Sequence, residues 1–207
     1  MKLRNSAALL LAGALCACAG LPERVPSGAA DETAWQSRSA RLARLTTWEV
    51  EGRVGVVTAK DGGSGSLDWK QQGETLVFDF VGPLGSGAIH VEGDADALRV
   101  RSSRGDDFLS FDPEADFAAR LNMPLPVNSM RYWLLGLPDP HASFDKQADA
   151  RGELVSLMQR GWQVQYQAYT DVDGYSLPVK LSLQREAVRI KLVINAWTLG
   201  ASLPAPP

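Results

Sequence analysis

Two thiols, two imidazoles and a few neighbouring carboxylates are the groups of this 207-residue chain that could do covalent or metal chemistry. The cysteines, Cys16 and Cys18, both stand near the start. They leave the rest of the chain no pair for a disulfide. His90 lies in an alternating apolar–polar stretch and His141 in a Pro-flanked loop. Neither has metal-ligand spacing with a cysteine, and no H-x-x-x-H pair exists, so both read as structural or solvated. Asp106-Asp107 and Asp171 with Asp173 hint at paired carboxylates or calcium. Their spacing is incomplete and fits solvated turns better. Gly62-Gly63-Ser64-Gly65-Ser66 falls between two strand candidates, where a hairpin is expected rather than a phosphate cradle opening onto a helix. There is no nucleophile elbow, Walker loop or dinucleotide fingerprint. No catalytic residue, metal or cofactor is assigned, and the chain is not expected to be an enzyme.

The chemistry that the thiols do suggest is lipidation. Lys2 and Arg4 precede an apolar run from Ala7 to Leu15, and Cys16-Ala17-Cys18 follows. A basic start, a short apolar core and small residues before a cysteine make an export signal, and the run is shorter than the ~20 residues a membrane span needs. Leu15-Cys16-Ala17-Cys18 resembles the lipobox of bacterial lipoproteins, whose cysteine takes a diacylglycerol and becomes the new N-terminus. Cys18, preceded by the small Ala17, is the expected attachment site, and residues 1–17 the discarded signal. Cys16 departs from the small or β-branched residue usual at its position. The alternative is an ordinary secreted protein cleaved near Ala19. By resemblance to sorted lipoproteins, Ala19 after the cysteine permits export to the outer membrane.

The whole chain holds 21 basic and 24 acidic residues, a balance of −3. Loss of Lys2 and Arg4 with the signal makes it −5. No basic patch for nucleic acid is present. Residues 18–34 read as the lipidated N-terminus and a flexible tether. About 15 such residues would average roughly 20 Å and stretch to about 50 Å. Residues 35–199 read as one domain and 200–207 as a disordered, Pro-rich tail.

Asp31 to Thr47 has a helical period, with Trp35, Leu42 and Leu45 on one face. From Trp48 the period becomes two. Alternating stretches follow at 48–56, from Leu67, at 76–81, 86–93, 96–102 and 106–111, and again at 162–168, 177–183 and 188–194. Between them, helical periods pass through Phe117 and Leu121 and span Val127 to Gly136, and a loop-rich stretch runs to about Gly152. About nine strands in hairpin order, each wet on one face, suit an antiparallel sheet curled toward a barrel. The inserted helices are placed inside the curl as a lid or plug. The fold class is therefore mainly β, an incomplete antiparallel barrel with a helical lid. The inward sets are Val50, Val54, Leu67, Trp69, Phe78, Phe80, Trp162, Val164, Leu181 and Ile190, faced by Met130, Trp133 and Leu134 from the lid. Periodicity does not say whether they line a hollow or fill a core.

Val81-Gly82-Pro83-Leu84-Gly85-Ser86 separates two strands. Gly82, Pro83 and Gly85 make a tight turn whose tip is the apolar Leu84. Leu84 either folds back on the core or stands out as an apolar finger, which would gain roughly 1.5–3 kcal/mol among acyl chains.

Trp48-Glu49-Val50-Glu51-Gly52-Arg53, Gly65-Ser66-Leu67-Asp68-Trp69, Gly82-Pro83-Leu84-Gly85, Leu125-Pro126-Val127, Arg131 to Pro138, and Gly161-Trp162 with Val164 and Tyr166 stand in an order that resembles the LolB family. The resemblance covers roughly residues 35–198. It implies an incomplete barrel with a hydrophobic cavity. It also implies an outer-membrane anchor facing the periplasm and a monomeric protein. Cargo lipoproteins would come from a LolA-type periplasmic carrier, and their acyl chains would be inserted into the inner leaflet of the outer membrane. It gives Pro83, Leu84 and Gly85 the role of a membrane-insertion loop against outer-membrane phospholipid. Two rival readings are a lipoprotein that binds another lipid or glycolipid, and a structural envelope lipoprotein with a solid core.

Overall fold

A computed structural model describes residues 31–83, 87–121 and 125–200. Three helices and eleven strands follow the chain. They are α1 (Glu32–Leu42), β1 (Thr47–Val57), β2 (Gly62–Gln72), β3 (Thr75–Val81), β4 (Ala88–Gly93), β5 (Leu98–Ser102) and β6 (Asp107–Ser110). Then come α2 (Pro113–Leu121), α3 (Val127–Leu134), β7 (Phe144–Ala148), β8 (Leu154–Gln159), β9 (Trp162–Val172), β10 (Tyr175–Arg185) and β11 (Val188–Leu199). The strands form one antiparallel sheet in the order β6-β5-β4-β3-β2-β1-β11-β10-β9-β8-β7. β1 pairs with β11, so the first and last strands meet at the middle of the sheet. β6 and β7 are its free edges, and the barrel stays open.

Alternation produces this sheet. Along β1 the burial runs in strict period two from Trp48 to Val56, with charged residues on the other face. That outer face is laced by cross-strand pairs: Lys70 to Glu49 at 3.0 Å, Arg101 to Glu92 at 2.6 Å and Arg99 to Asp107 at 2.9 Å. The inner faces and the apolar stripes of the helices make one core. Trp69 stacks between Trp48 and Phe78, and Phe117 of α2 meets Phe78 edge-on with centroids 6.4 Å apart.

Two strands, β7 and β8, lie in or beside the stretch that reads as loop. β8 reverses the usual pattern: polar Gln159 is buried and apolar Met158 is exposed. β7 is an edge strand rich in polar residues, Phe144-Asp145-Lys146-Gln147-Ala148. The first helix stops at Leu42 and not at Thr47, and β1 takes Thr47. Its start is capped by the Asp31 carboxylate, which accepts from the Thr33 and Ala34 N–H groups at 2.9 and 3.1 Å. Among the described residues no helix is long and apolar enough to cross a bilayer.

Candidate functional site

α3 is the element that closes the curl, and its sequence explains how. Met130, Trp133 and Leu134 fall on one face and are buried against the sheet. The helix ends in a Schellman motif: the Gly136 N–H bonds the Trp133 carbonyl and the Leu137 N–H the Tyr132 carbonyl, both at 3.0 Å. Gly136 supplies the left-handed φ of 74° that this ending requires. Arg131 reaches across to Glu74 in the β2–β3 turn at 2.5 Å.

A buried polar latch fastens the segment after α3 to β8. The Gln159 amide oxygen accepts from the Trp133 indole N–H and the Asp139 backbone N–H, each at 2.8 Å. The Gln159 amide nitrogen donates to the Asp139 and Ala142 carbonyls at 2.7 and 2.9 Å. All four bonds of which a Gln amide is capable are therefore made. The Asp139 carboxylate accepts from Ser129 Oγ, Arg160 Nε and the His141 N–H, each at 2.9 Å. Burial alone would raise the pKa of Asp139, but these three donors outweigh it and hold it below the usual carboxylate range. Tyr166 adds a bond from its hydroxyl to the Trp133 carbonyl at 3.0 Å.

α2 is held more lightly. Phe117 is wholly buried, Ser110 Oγ donates to Asp116 at 2.7 Å, and Arg185 pairs with Glu114. Leu121, at the end of α2, borders a cavity of about 560 Å³. Its wall includes Val56, Phe80, Pro83, Ile89 and Arg104. This cavity opens where the β1–β2, β3–β4 and β5–β6 turns gather. The Gly82 N–H bonds the Gly87 carbonyl at 2.8 Å and so pinches the base of the β3–β4 loop. A second apolar opening of about 560 Å³ lies at the other end of β1, between α1 and the end of α3. Trp48 borders it and Val56 borders the first, about 26 Å apart along the strand.

The residues expected from the alternation divide between core and cavity. Val50, Val54, Leu67, Trp69, Phe78, Met130, Trp133, Leu134, Trp162, Val164, Leu181 and Ile190 are all buried in the hydrophobic core. Phe80 is partly buried and lines the first cavity. Pro83 is exposed at the rim of that cavity. Leu84, Gly85 and Cys18 lie outside the described residues. Val56, Ile89 and Leu121 line the cavity without having been singled out by pattern, because the strand period around Val56 and Ile89 and the helical period through Leu121 say nothing about what stands opposite. The Gln159 latch was missed as well. A lone Gln in a short apolar run carries no signal until its four partners are placed around it.

The other chemistry-bearing residues sit on the surface. His90 Nδ1 lies 2.7 Å from Asp79 across the β3–β4 pair on the outer face. Asp106 accepts from Ser102 Oγ at 2.5 Å and Asp171 from the Gly174 N–H at 3.1 Å, as turn residues do. Glu49, Glu51 and Asp68 converge on the outer face of β1 and β2, where burial and then the neighbouring carboxylates raise Asp68. Lys70 already bonds Glu49.

Comparison with known proteins agrees with this architecture. A family model described as outer membrane lipoprotein LolB matches residues 46–197. An outer-membrane lipoprotein LolB of Nitrosococcus oceani is 34% identical, covering 93% of this chain and 94% of its own. Others from Alkalilimnicola ehrlichii and Stutzerimonas stutzeri are 37% and 36% identical. They cover 93% and 92% of this chain, and 97% and 91% of their own. Among solved structures, a LolA superfamily protein from Nitrosomonas europaea superposes with a TM-score of 0.57 at 7% identity, over 84% of this chain and 94% of its own. A putative outer membrane lipoprotein-sorting protein domain from Vibrio parahaemolyticus gives 0.55 at 10% identity, over 84% and 93%. At such identities these two share the fold. The sequence relatives, matched nearly end to end, decide the family: this chain belongs to the LolB family of outer membrane lipoproteins.

Proposed function

We propose that this protein is a receptor anchored to the outer membrane through Cys18 and facing the periplasm as a monomer. It accepts lipoproteins from a LolA-type carrier and inserts them into the inner leaflet of that membrane. The observation that carries the reading is the cavity walled by Val56, Phe80, Ile89 and Leu121, which opens at the base of the Gly82–Gly87 loop. An acyl chain leaving this mouth emerges beside Pro83 and the loop that bears Leu84.

The energetics require such a route. A triacylated lipoprotein carries about 45 methylenes, and exposing them to water at about 0.8 kcal/mol each would cost tens of kcal/mol. Cargo therefore passes from one apolar container to the next. With no nucleotide-binding motif in the sequence, direction comes from differences in affinity between carrier, receptor and bilayer. The core residues, Trp69, Phe78, Trp133 and Trp162 among them, become cavity wall when α2 and α3 swing away. The lightly held α2, with Leu121 at the mouth, is the element that moves first.

A transfer assay with labelled lipoprotein, a LolA-type carrier and phospholipid vesicles tests this reading. Wild type moves label from carrier to vesicle. Leu84→Glu keeps the same denaturation midpoint and accepts cargo normally, but its insertion falls about tenfold or more, the equivalent of 1.5–3 kcal/mol of lost apolar burial. Unchanged insertion would remove Leu84 from the mechanism. Failure of wild type to take label from the carrier would end the receptor reading, and a glycolipid found on the natively purified protein would favour the other lipid-binding function.

A further inference from the structure

A third cavity, of about 720 Å³, has no part in the route just described. It lies between α1 and the turn that joins β9 to β10. The register from β1 through β11 to β10 carries that turn to the Thr47 end of the sheet, away from the β3–β4 loop. Ser37, Arg38 and Arg41 of α1, on one stripe of the helix, line it. So do Tyr169 and Tyr175, and Arg151 from the β7–β8 connection.

Three arginines therefore meet at one cavity. The Arg38 guanidinium lies over the Tyr169 ring, 5.2 Å from its centroid, and that of Arg41 over Tyr175 at 4.2 Å. Stacking occupies the face of a guanidinium and leaves its in-plane N–H donors for an acceptor. Gly174, with φ of 76°, keeps the turn clear of Arg41: a Cβ there would stand 3.4 Å from an Arg41 nitrogen.

Arg38 is the unsatisfied member. Its Nη2 donates to the Ser176 carbonyl at 2.7 Å, but among the described residues its Nε and Nη1 are buried with no hydrogen-bond partner. Desolvation lowers its pKa by more than Tyr169, Glu153, Tyr166 and Asp149 raise it. The cavity is thus short of negative charge, although Glu153 and Asp171 line it. Both carboxylates already hold donors. Glu153 accepts from Ser176 Oγ at 2.6 Å and Arg151 Nη2 at 3.1 Å, and Asp171 from the Gly174 N–H at 3.1 Å. Unpaired donors on a buried cation cost stability until an acceptor reaches them.

We propose that this cavity binds a phosphate group carried on a hydroxylated body. Phosphate has oxygens enough to accept from several guanidinium groups at once, more than a carboxylate offers. Arg38 tilts on the Tyr169 ring to present Nε and Nη1, and Arg41 and Arg151 close on the remaining oxygens. The volume is that of a small-molecule site and exceeds what a bare phosphate would fill. Ser37 and Thr170 face the rest of the guest with hydroxyls.

The test titrates the whole lipidated chain, in detergent and buffer free of phosphate, with glucose 6-phosphate, dihexanoyl phosphatidic acid or glucose, read by calorimetry. Glucose 6-phosphate is expected to bind saturably and glucose not at all. Binding of the phosphatidic acid alone, abolished by Arg38→Gln, would keep the site and make its source a lipid headgroup. Arg38→Gln and, separately, the exposed Arg41→Gln should each weaken binding about tenfold or more, with unchanged near-ultraviolet circular dichroism. In nitrogen-15-labelled protein, the Nε–H signal missing from Arg38→Gln should shift when ligand is added to wild type. Three results would overturn the proposal: no saturable binding of either phosphate, glucose bound as tightly as its phosphate, or affinity unchanged in folded Arg41→Gln. Lipoprotein transfer is not read in any arm, so failure here leaves the receptor reading untouched.

Discussion

Gln159→Met is the substitution that most directly tests how the α3 segment is held. Methionine keeps the unbranched stem and the volume of the side chain but removes all four hydrogen bonds to Trp133, Asp139 and Ala142. At about 1 kcal/mol net for each bond the loss approaches 4 kcal/mol. The added apolar surface returns about 1 kcal/mol, which leaves a deficit of about 3 kcal/mol. Against the ~5–15 kcal/mol that holds an ordinary domain together, this is a large fraction. With a urea slope of about 2 kcal/mol per molar, the unfolding midpoint should fall by about 1.5 M. The loss is local, so amide hydrogens of α3 and of residues 137–142 should exchange about a hundredfold faster, while β1 and β2 change less. A midpoint shift below about 0.3 M with unchanged exchange in α3 would refute the reasoning and leave the segment held by apolar packing alone.

Three further outcomes are expected. The pKa of Asp139 is depressed in the folded protein, so its contribution to stability is present above the unfolded value of about 4 and is lost as pH falls through the folded value. Acid should therefore loosen residues 137–142 first, and Asp139→Asn should lessen the pH dependence of their hydrogen exchange below pH ~4. Phe117→Ala removes a wholly buried ring between α2 and Phe78 and should cost about 3–5 kcal/mol in denaturant titrations, a loss that a repacked neighbour would reduce. Metabolic labelling with palmitate should mark wild type and not Cys18→Ala, and label surviving in the variant would move the anchor to Cys16.

Much of the fold was legible because a one-sided sheet writes its burial into its sequence. The alternation from Trp48 to Val56 and from Leu177 to Leu183 identifies both the strands and their inner faces. The inward set read from it is buried in the core except for Phe80, which is partly buried and lines a cavity. The helices α2 and α3 were legible from Phe117, Leu121 and the Gly136–Pro138 ending. β7 and β8 were not. A strand whose buried position is Gln159 and whose exposed position is Met158 inverts the pattern from which strands are recognised.

The sequence by itself determined the mainly antiparallel architecture, the inward faces and the likeness to a family. All of these rest on residue type and short-range spacing. The tertiary structure alone decided which inward residues fill the core and which face a cavity. Val50 and Val56 share one face of β1, yet the first is packed and the second borders an opening, because different elements stand opposite them. It also decided that Gln159 is the latch of α3. Hydrogen bonds and voids depend on positions in space that residues far apart in the chain reach only together, and no local period encodes them.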